Sequence, residues 1–285
     1  MTDKLAADTA MGPVTLRVAD LDRMIRYYTR SVPLQVLSHD GPRAVIGRGT
    51  TPVLVLEHAP ELRHAGPGQA GLFHTAILFD SQAALAAAVY SVARRAPGTF
   101  TGSADHLVSQ AFYFTDPEGN GVELYWDRDR TAWSWTHGQV EMDTLFLDPN
   151  EFLGQHLTES AVEVPLIGGA TVGHVHLSVG DVQSAKDFYV DRLGFETTAS
   201  LGGSALFVSA GGYHHHMAMN VWNSRGAGRR RFTLGLGLVD IVVPTADDLG
   251  ALGERMRHYQ VPLADDGQAL TFDDPWGNAV RVLPA

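Results

Sequence analysis

The stretch that decides the fold is VTLRVADLDRMIRYY at residues 14–28, because it occurs a second time as VHLSVGDVQSAKDFY at residues 175–189. Both copies begin with apolar residues at alternate positions, continue through an aspartate and end in a tyrosine. Identical residues recur at a constant offset of 161 (for example, 177 minus 16): Leu16 and Leu177, Val18 and Val179, Asp20 and Asp181, Tyr28 and Tyr189. Self-similarity at a fixed spacing predicts a repeat architecture.

A second repeated pair lies later in each half of the chain. DPEGNGVELYW at 116–126 matches DPWGNAVRVLP at 274–284, at an offset of 158 (274 minus 116). The chain therefore consists of two similar halves, which we predict to be an N-terminal domain at 1–128 and a C-terminal domain at 171–285. The linker between them, 129–170, carries aromatic residues that predict either a lid over the site or packing between modules: Trp133, Trp135, Phe146 and Phe152.

Each half divides again into two modules of the same element order. In module two the apolar run LFHTAILF predicts a strand, and the Ala-rich stretch after it predicts a helix that Ser81 begins. The turn DPEGN has the residues typical of tight turns. We predict these module-two elements: strand 72–79, helix 81–95, and strands 99–106, 110–115 and 121–126. Residues 13–57 repeat the order, with a helix at Asp20–Arg30 and strands near 33–38, 42–48 and 52–57. Residues 173–222 and 235–284 give modules three and four, so the fold class is α+β with four βαβββ modules.

Composition excludes several kinds of partner and site. The net charge of -11 is unfavourable for nucleic-acid binding, which requires clustered lysine and arginine. Because the sequence has no cysteine, any metal must be held by histidine, aspartate or glutamate. The stretch MTDKLAADTAMG lacks the apolar core of a secretion signal, and no apolar run reaches the roughly 18 residues of a membrane span. We therefore expect a cytoplasmic protein with no membrane partner.

The repeated first strand with its helix, together with the DPxGN turn, resembles the vicinal-oxygen-chelate superfamily. This superfamily contains glyoxalases, bleomycin-resistance proteins and type I extradiol dioxygenases. The resemblance covers nearly the whole chain outside the linker. It implies that paired modules curve into two half-barrels and that a metal lies inside a half-barrel.

The resemblance also implies where metal ligands lie: in the first strand of a module and in the last strand, after DPxGN. Module two offers His74 and Glu123, and module three offers His174. Two imidazoles and one carboxylate with open positions are typical of non-haem Fe(II) oxygenases. His176 is the alternative to His174, because residues two apart on a strand share a face.

The ligand set predicts which modules pair. Modules one and four lack it, since Pro13 replaces His174 and Arg281 replaces Glu123. Only a pair of modules two and three brings all three ligands together. Modules one and four would then form a second cup without a metal, in which Asp240 and Arg281 neutralise each other.

Three further side chains are candidates for acid–base catalysis. The run HHHMAM at 214–219 is similar to the His-His pattern of extradiol dioxygenases, which implies that His215 acts on oxygen. Strand alternation would direct either His215 or both His214 and His216 into the cup. Tyr113 resembles the tyrosine that contacts catechol in that group. His106 resembles the companion histidine, although its spacing to Tyr113 is shorter.

The resemblance is closest to bacterial catechol-2,3-dioxygenases. It implies an Fe(II)-dependent enzyme that opens a small aromatic diol with O2, and Mn(II) can occupy the same ligands. A glyoxalase-like isomerase or lyase and a non-catalytic resistance protein remain as alternatives. The sequence leaves the ring substituents open, and a homo-oligomer is consistent with it.

Overall fold

The computed structural model describes residues 4–163 and 168–285. Residues 1–3 of the predicted N-terminal domain and 164–167 of the predicted linker lie outside the described residues. The elements of modules one and two follow the predicted order. Module one contains β1 (Ala10–Val18), α1 (Leu21–Arg26), a π-helical turn (Tyr27–Ser31), β2 (Gln35–Asp40), β3 (Arg43–Arg48) and β4 (Thr51–His58). Module two contains β5 (Gly71–Phe79), α2 (Gln82–Arg95), a 3₁₀ turn (Pro97–Thr99), β6 (Phe100–Asp105), β7 (Ser109–Thr115) and β8 (Gly121–Asp127).

The second half repeats this order after a partly structured linker. The linker contains a 3₁₀ turn (Arg130–Ala132), β9 (Trp135–Thr136), β10 (Gln139–Val140), α3 (Pro149–His156) and α4 (Glu159–Glu163). Module three contains β11 (Ala170–Ser178), α5 (Val182–Lys186), a π-helical turn (Asp187–Arg192), β12 (Glu196–Ser200), β13 (Ala205–Ser209) and β14 (Met217–Asn220). Module four contains β15 (Gly235–Val243), α6 (Ala246–His258), β16 (Leu263–Asp265), β17 (Leu270–Asp273) and β18 (Ala279–Pro284).

The helix predicted at Asp20–Arg30 is shorter than expected. Asp20 is its N-cap, and its carboxylate accepts a hydrogen bond from Arg23 N at 2.9 Å. The α-helix ends at Arg26, and a π-helical turn follows. Apolar periodicity does not distinguish these two kinds of turn, so the sequence could not show the change.

The four modules pair as the ligand set predicts. One eight-stranded sheet has the order β16-β17-β18-β15-β1-β4-β3-β2, which joins modules four and one. The other has the order β12-β13-β14-β11-β5-β8-β7-β6, which joins modules three and two. The prediction that modules two and three share one cup is confirmed. Because each sheet draws on both halves, the division into domains at 1–128 and 171–285 stays a prediction from sequence position.

Alternation gives the second sheet one apolar and one polar face. On β5 and β8, Ile77 and Leu124 face the main hydrophobic core, which also contains Leu16 and Leu54 of the first sheet. The intervening residues include His74 and Glu123, which line a cavity. We call this cavity-lining face of the second sheet the cup.

Each repeated tyrosine is bonded to the aspartate of a DPxGN turn in the neighbouring module. Tyr28 donates to Asp116 Oδ2 at 2.9 Å, and Tyr189 donates to Asp274 Oδ2 at 3.0 Å. The same aspartates accept backbone hydrogen bonds within their turns, for example from Asn120 N at 2.9 Å. The tyrosine of the first sequence repeat and the aspartate of the second are thus hydrogen-bond partners, and this bond joins consecutive modules.

The first sheet contains the predicted ion pair. Asp240 on β15 and Arg281 on β18 are register partners, and the guanidinium donates two hydrogen bonds, at 2.8 and 2.7 Å. Asp240 is buried, so this pairing offsets the cost of removing its charge from water. In the part of the chain that the structure describes, no helix is long and apolar enough to cross a membrane.

Candidate metal centre and active site

Three adjacent strands bring His74, Glu123 and His174 together. Glu123 on β8 and His174 on β11 are both register partners of Ala76 on β5. His74 lies two residues before Ala76, and therefore on the same face. The small side chain of Ala76 leaves the space between the three larger ones open.

The spacing of the three side chains fits a single metal ion. Nε2 of His74 lies 2.9 Å from Glu123 Oε2, and Nε2 of His174 lies 3.2 Å from the same oxygen. Two ligands at about 2.0–2.2 Å from one ion and at right angles would be roughly 3 Å apart. Despite its short distance to Glu123, Nε2 of His74 is buried and forms no hydrogen bond with any described residue, because the contact lacks hydrogen-bond geometry. A buried nitrogen of this kind normally has a partner, which a metal would provide.

A β-bulge directs His174 into the cup. The pairing of β11 with β5 shifts between Val172 and His174, so these residues point to opposite faces although they are two apart. Gly173 lies at the shift, and a Cβ there would be 1.7 Å from the hydroxyl of Tyr125. Only glycine fits this approach.

Electrostatics keep Glu123 and His174 in the forms that bind metal. Burial raises the pKa of Glu123, but the neighbouring His174 and His74 outweigh it and hold that pKa well below its ordinary value. Burial lowers the pKa of His174 to about 4, so this imidazole is neutral at pH 7. A carboxylate and neutral imidazoles are the forms that bind metal.

His176 also faces the cup, but its ring nitrogen is already bonded. It is the register partner of His74, and the ring centroids are 4.9 Å apart. Asn220 Nδ2 donates to His176 Nε2 at 3.0 Å, while Asn220 Oδ1 accepts from Trp222 N at 3.1 Å. The second contact orients the amide as a donor toward His176. Nε2 of His176 is thus bonded outside the triad, whereas Nε2 of His174 faces Glu123 Oε2, so His174 suits the role of ligand better.

The three consecutive histidines do not lie on a strand, contrary to the sequence prediction. They precede β14, which begins at Met217, so strand alternation does not apply to them. All three are buried. His215 lines the cavity, with its ring centroid 4.1 Å from that of His174. His216 points elsewhere, and its Nδ1 accepts a hydrogen bond from Ala210 N at 3.2 Å.

His214 does not point away from His215 but bonds to it. Asp127, at the end of β8, accepts from His214 Nε2 at 2.8 Å, and Nδ1 of His214 lies 2.8 Å from Nδ1 of His215. The tautomer of His214 that carries its proton on Nε2 donates to Asp127 and accepts at Nδ1 from Nδ1–H of His215. Nε2 of His215 is then left as an unprotonated nitrogen. Burial, with the neighbouring histidines, lowers the pKa of His215 well below its ordinary value.

Tyr113 and His106 contact each other in the cavity, so their short spacing does not separate them. The Tyr113 hydroxyl and His106 Nε2 are 2.6 Å apart, and His106 Nδ1 lies 2.7 Å from the Asp143 carbonyl oxygen. Nδ1–H of His106 donates to that carbonyl, and the phenol donates to Nε2. Burial and the charge of Glu123 raise the pKa of Tyr113 well above its ordinary value, so the phenol stays protonated.

The linker forms part of the cavity wall, but its aromatic residues do not. Val140, Glu141 and Asp143 line the cavity. Trp133 is buried against the ring of Tyr213, at 5.8 Å between centroids. Of the other three, Phe152 is buried in the main core, whereas Trp135 and Phe146 are exposed.

Sequence reasoning missed Asp127 and the orienting role of His214. Strand alternation could have indicated Asp127, because Glu123, Tyr125 and Asp127 share a face of β8. Asp127 also accepts from the hydroxyl of Tyr213 at 2.7 Å. His214 carried no comparable signal, since its direction depends on a loop conformation.

Comparison with known proteins agrees with this architecture. The family model of the Glyoxalase/Bleomycin resistance protein/Dioxygenase superfamily matches residues 10–124 and 171–282. The chain belongs to this superfamily. The family matches span both halves of the repeat, and the linker lies between them.

One relative and two solved structures match this chain over nearly its full length. A Bacillus subtilis (strain 168) protein named catechol-2,3-dioxygenase is 33% identical over 277 residues, covering 95% of this chain and 96% of the relative. A crystal structure of a candidate dioxygenase from Bacillus subtilis subsp. subtilis str. 168 has a TM-score of 0.66 at 15% identity, covering 99% of this chain and 86% of that one. Glyoxalase I from Zea mays has a TM-score of 0.59 at 18% identity, covering 97% and 92%. The two structures show the fold alone.

Proposed function

We propose that this chain is an extradiol ring-cleaving dioxygenase that opens a catechol or substituted catechol with Fe(II) and O2. The observation that carries the proposal is the joint placement of the triad and two kinds of proton-handling group in one cavity. His74, Glu123, His174, Tyr113 and His215 all line it. The Bacillus subtilis relative named catechol-2,3-dioxygenase supports this assignment.

The triad would hold the metal through Nε2 of His74, Nε2 of His174 and the carboxylate of Glu123. Bound there, Fe(II) would supply the electron transfer that couples a diol to O2, and Mn(II) suits the same donor set. Three protein ligands leave positions for small molecules. His176 is already bonded to Asn220 and would shape the cup beside the triad.

Tyr113 and His106 would take up a proton from the substrate. A diol must lose a proton to chelate as an anion, and a neighbouring group must receive it. The phenol oxygen of Tyr113 can accept a hydrogen bond from the substrate hydroxyl while it donates to His106 Nε2. A proton can then pass through Tyr113 to His106, whose Nδ1–H remains bonded to the Asp143 carbonyl.

His215 would act as the second acid–base group. It lies against His174 and carries a free Nε2, since Nδ1 is committed to His214. A neutral imidazole in this position can accept a proton and return it as the ring opens. Asp127 and His214 would hold the ring and its tautomer.

The isomerase alternative lacks a second carboxylate beside the triad. Of the acids that line the cavity, Glu123 belongs to the triad, whereas Glu141 and Asp143 are exposed. Asp127 is bonded to His214 and Tyr213. No separate carboxylate among these described residues is free to act as the general base that glyoxalases use.

The test is to load the protein with Fe(II) without oxygen, add catechol and then admit O2. We expect O2 uptake and a yellow ring-opened product that contains both oxygen atoms. The His74→Ala variant should give neither. If the loaded protein consumes no O2 but isomerises a glutathione hemithioacetal, the isomerase function replaces the one proposed.

A further inference from the structure

The cavity is much larger than a single aromatic ring requires. Its volume is about 1000 Å³, at the upper end of the roughly 300–1000 Å³ that holds drug-sized ligands. The triad occupies only one part of its lining. A catechol chelated there would leave most of the space to its ring substituents.

Apolar side chains surround this remaining space. Phe73, Phe207 and Trp222 line it, with the rings of Phe73 and Trp222 5.4 Å apart. Trp222 and Leu201 are 49% and 54% exposed although they line the cavity, which places them where it opens to solvent. An apolar substituent that covers them would gain the free energy of removing this surface from water.

The charges that line the cavity are all of one sign. Glu123, Glu141 and Asp143 are its acids, and none of its lining residues, all of which the structure describes, is lysine or arginine. Glu141 and Asp143 are exposed and belong to the linker. A substrate carboxylate that lies away from the triad would lose water without gaining a cation, and it would meet the like charges of Glu141 and Asp143.

We infer that the substrate is an uncharged catechol with a bulky apolar substituent, and that Glu141 and Asp143 discriminate against carboxylated catechols. This inference rests on the proposed function, because it takes the diol to be held at the triad. It goes further by assigning substrate selection to the linker, whose role in the proposed chemistry is otherwise the contact of the Asp143 carbonyl with His106.

The first experiment compares two matched substrates on the iron-loaded enzyme. One is a catechol with an alkyl chain, and the other has the same chain ending in a carboxylate. We expect kcat/KM to be higher for the uncharged substrate by roughly 10²-fold or more. Equal values, or a preference for the carboxylate, would overturn the inference and leave the dioxygenase function intact.

A charge-reversal variant tests the role of the linker. Glu141→Lys should raise kcat/KM for the carboxylated substrate and reduce the discrimination by roughly tenfold or more, since it replaces repulsion by attraction. Glu151→Lys is the matched control, because it changes the net charge equally at an exposed position on α3 that does not line the cavity. An equal effect of both variants would show that net charge selects the substrate, and the role given to Glu141 would be wrong.

Binding to the metal-free protein separates this inference from the proposed function. Tryptophan fluorescence, to which Trp222 contributes, reports occupation of the cavity by either compound without turnover. Tighter binding of the uncharged compound supports the inference even if neither is cleaved, in which case the dioxygenase proposal alone fails. Equal or tighter binding of the carboxylated compound overturns the inference.

Discussion

At the residue scale, the role of each histidine in the site depends on which atom its ring nitrogen faces. Nε2 of His74 lies 2.9 Å from Glu123 Oε2 but forms no hydrogen bond with any described residue, whereas Nε2 of His176 is bonded to Asn220. Both histidines line the same cavity. Burial alone therefore does not distinguish a ligand from a neighbour, but the direction of Nε2 does, since Nε2 of His74 and of His174 faces Glu123 Oε2.

Fe(II) binding should depend on His174 and not on His176. We expect His174→Ala to weaken Fe(II) affinity by more than roughly 10²-fold, because changes outside the ligands already cost about 10–100-fold. His176→Ala should stay within about tenfold of the original chain. Equilibrium dialysis without oxygen, followed by metal analysis, measures both. A larger loss of Fe(II) affinity in His176→Ala than in His174→Ala would make His176 the ligand.

The three adjacent histidines should differ sharply in their effects on turnover. His215→Ala should lower kcat by roughly 10²–10⁴-fold while Fe(II) still binds, as expected for a positioned acid–base group. His214→Ala should lower kcat by roughly 10–10²-fold at unchanged KM, because His214 orients His215. His216→Ala is the control, since that ring points to Ala210. Damage from His216→Ala equal to that from His214→Ala would contradict the hydrogen-bond chain.

At the element scale, strand pairing decides which residues meet. Adjacent strands place Glu123 and His174 on either side of Ala76, and a parallel pair in the other sheet places Asp240 beside Arg281. Arg281 thus lies at the position of the candidate ligand Glu123, whereas its partner Asp240 lies at the position of Ala76.

The ion pair between β15 and β18 should contribute to stability. Arg281→Met leaves buried Asp240 without its partner, and we expect a loss of about 1–3 kcal/mol in the free energy of unfolding. This range is reduced because the Arg281 side chain is 39% exposed and solvent screens its charge. Urea denaturation measures the loss, which the double variant with Asp240→Asn should partly restore.

An exposed pair provides the comparison for this variant. Arg257 and Asp265 form a salt bridge with both side chains exposed, so Arg257→Met should cost less than about 1 kcal/mol. If both variants lose the same free energy of unfolding, burial of Asp240 does not make its ion pair more stabilising than an exposed one.

At the scale of the whole molecule, buried neutral histidines lie in the cup and, in the case of His216, beside it. Burial lowers the pKa of His174 to about 4 and that of His216 to about 3, and it lowers the pKa of His176 and His215 well below the ordinary value. The unfolded chain binds protons on these residues near pH 6.5, which the folded protein does not. Folding stability is therefore full above about pH 6.5 and is lost as pH falls toward 4.

Urea unfolding of the metal-free protein between about pH 7.5 and pH 4.5 tests this expectation. The free energy of unfolding should decrease steadily with pH. His216→Gln should give a shallower pH dependence, whatever its absolute stability, because one lowered pKa is removed. A pH-independent free energy in the original chain would mean that these histidines are protonated in the folded state.

The sequence by itself determined the repeats, the four modules and the residues in the ligand positions. These features depend on local patterns: Asp20 and Asp181 cap helices, and DPxGN makes its own turn hydrogen bonds. It also predicted the pairing of modules two and three, because only that pair unites His74, Glu123 and His174. Assignment of those three residues as ligands stays a proposal.

Only the tertiary structure decided how the side chains of the cup are oriented and which linker residues line it. The bulge at Gly173 directs His174 to the face opposite Val172, although the two residues are two apart on β11. Glycine is required at 173 because the hydroxyl of Tyr125 occupies the space that a side chain would take. The direction of the histidine run follows from Asp127, which is 87 residues away from His214 in sequence. The linker reaches the cavity through Glu141 and Asp143. Each feature arises from contacts between distant segments, which no local sequence pattern encodes.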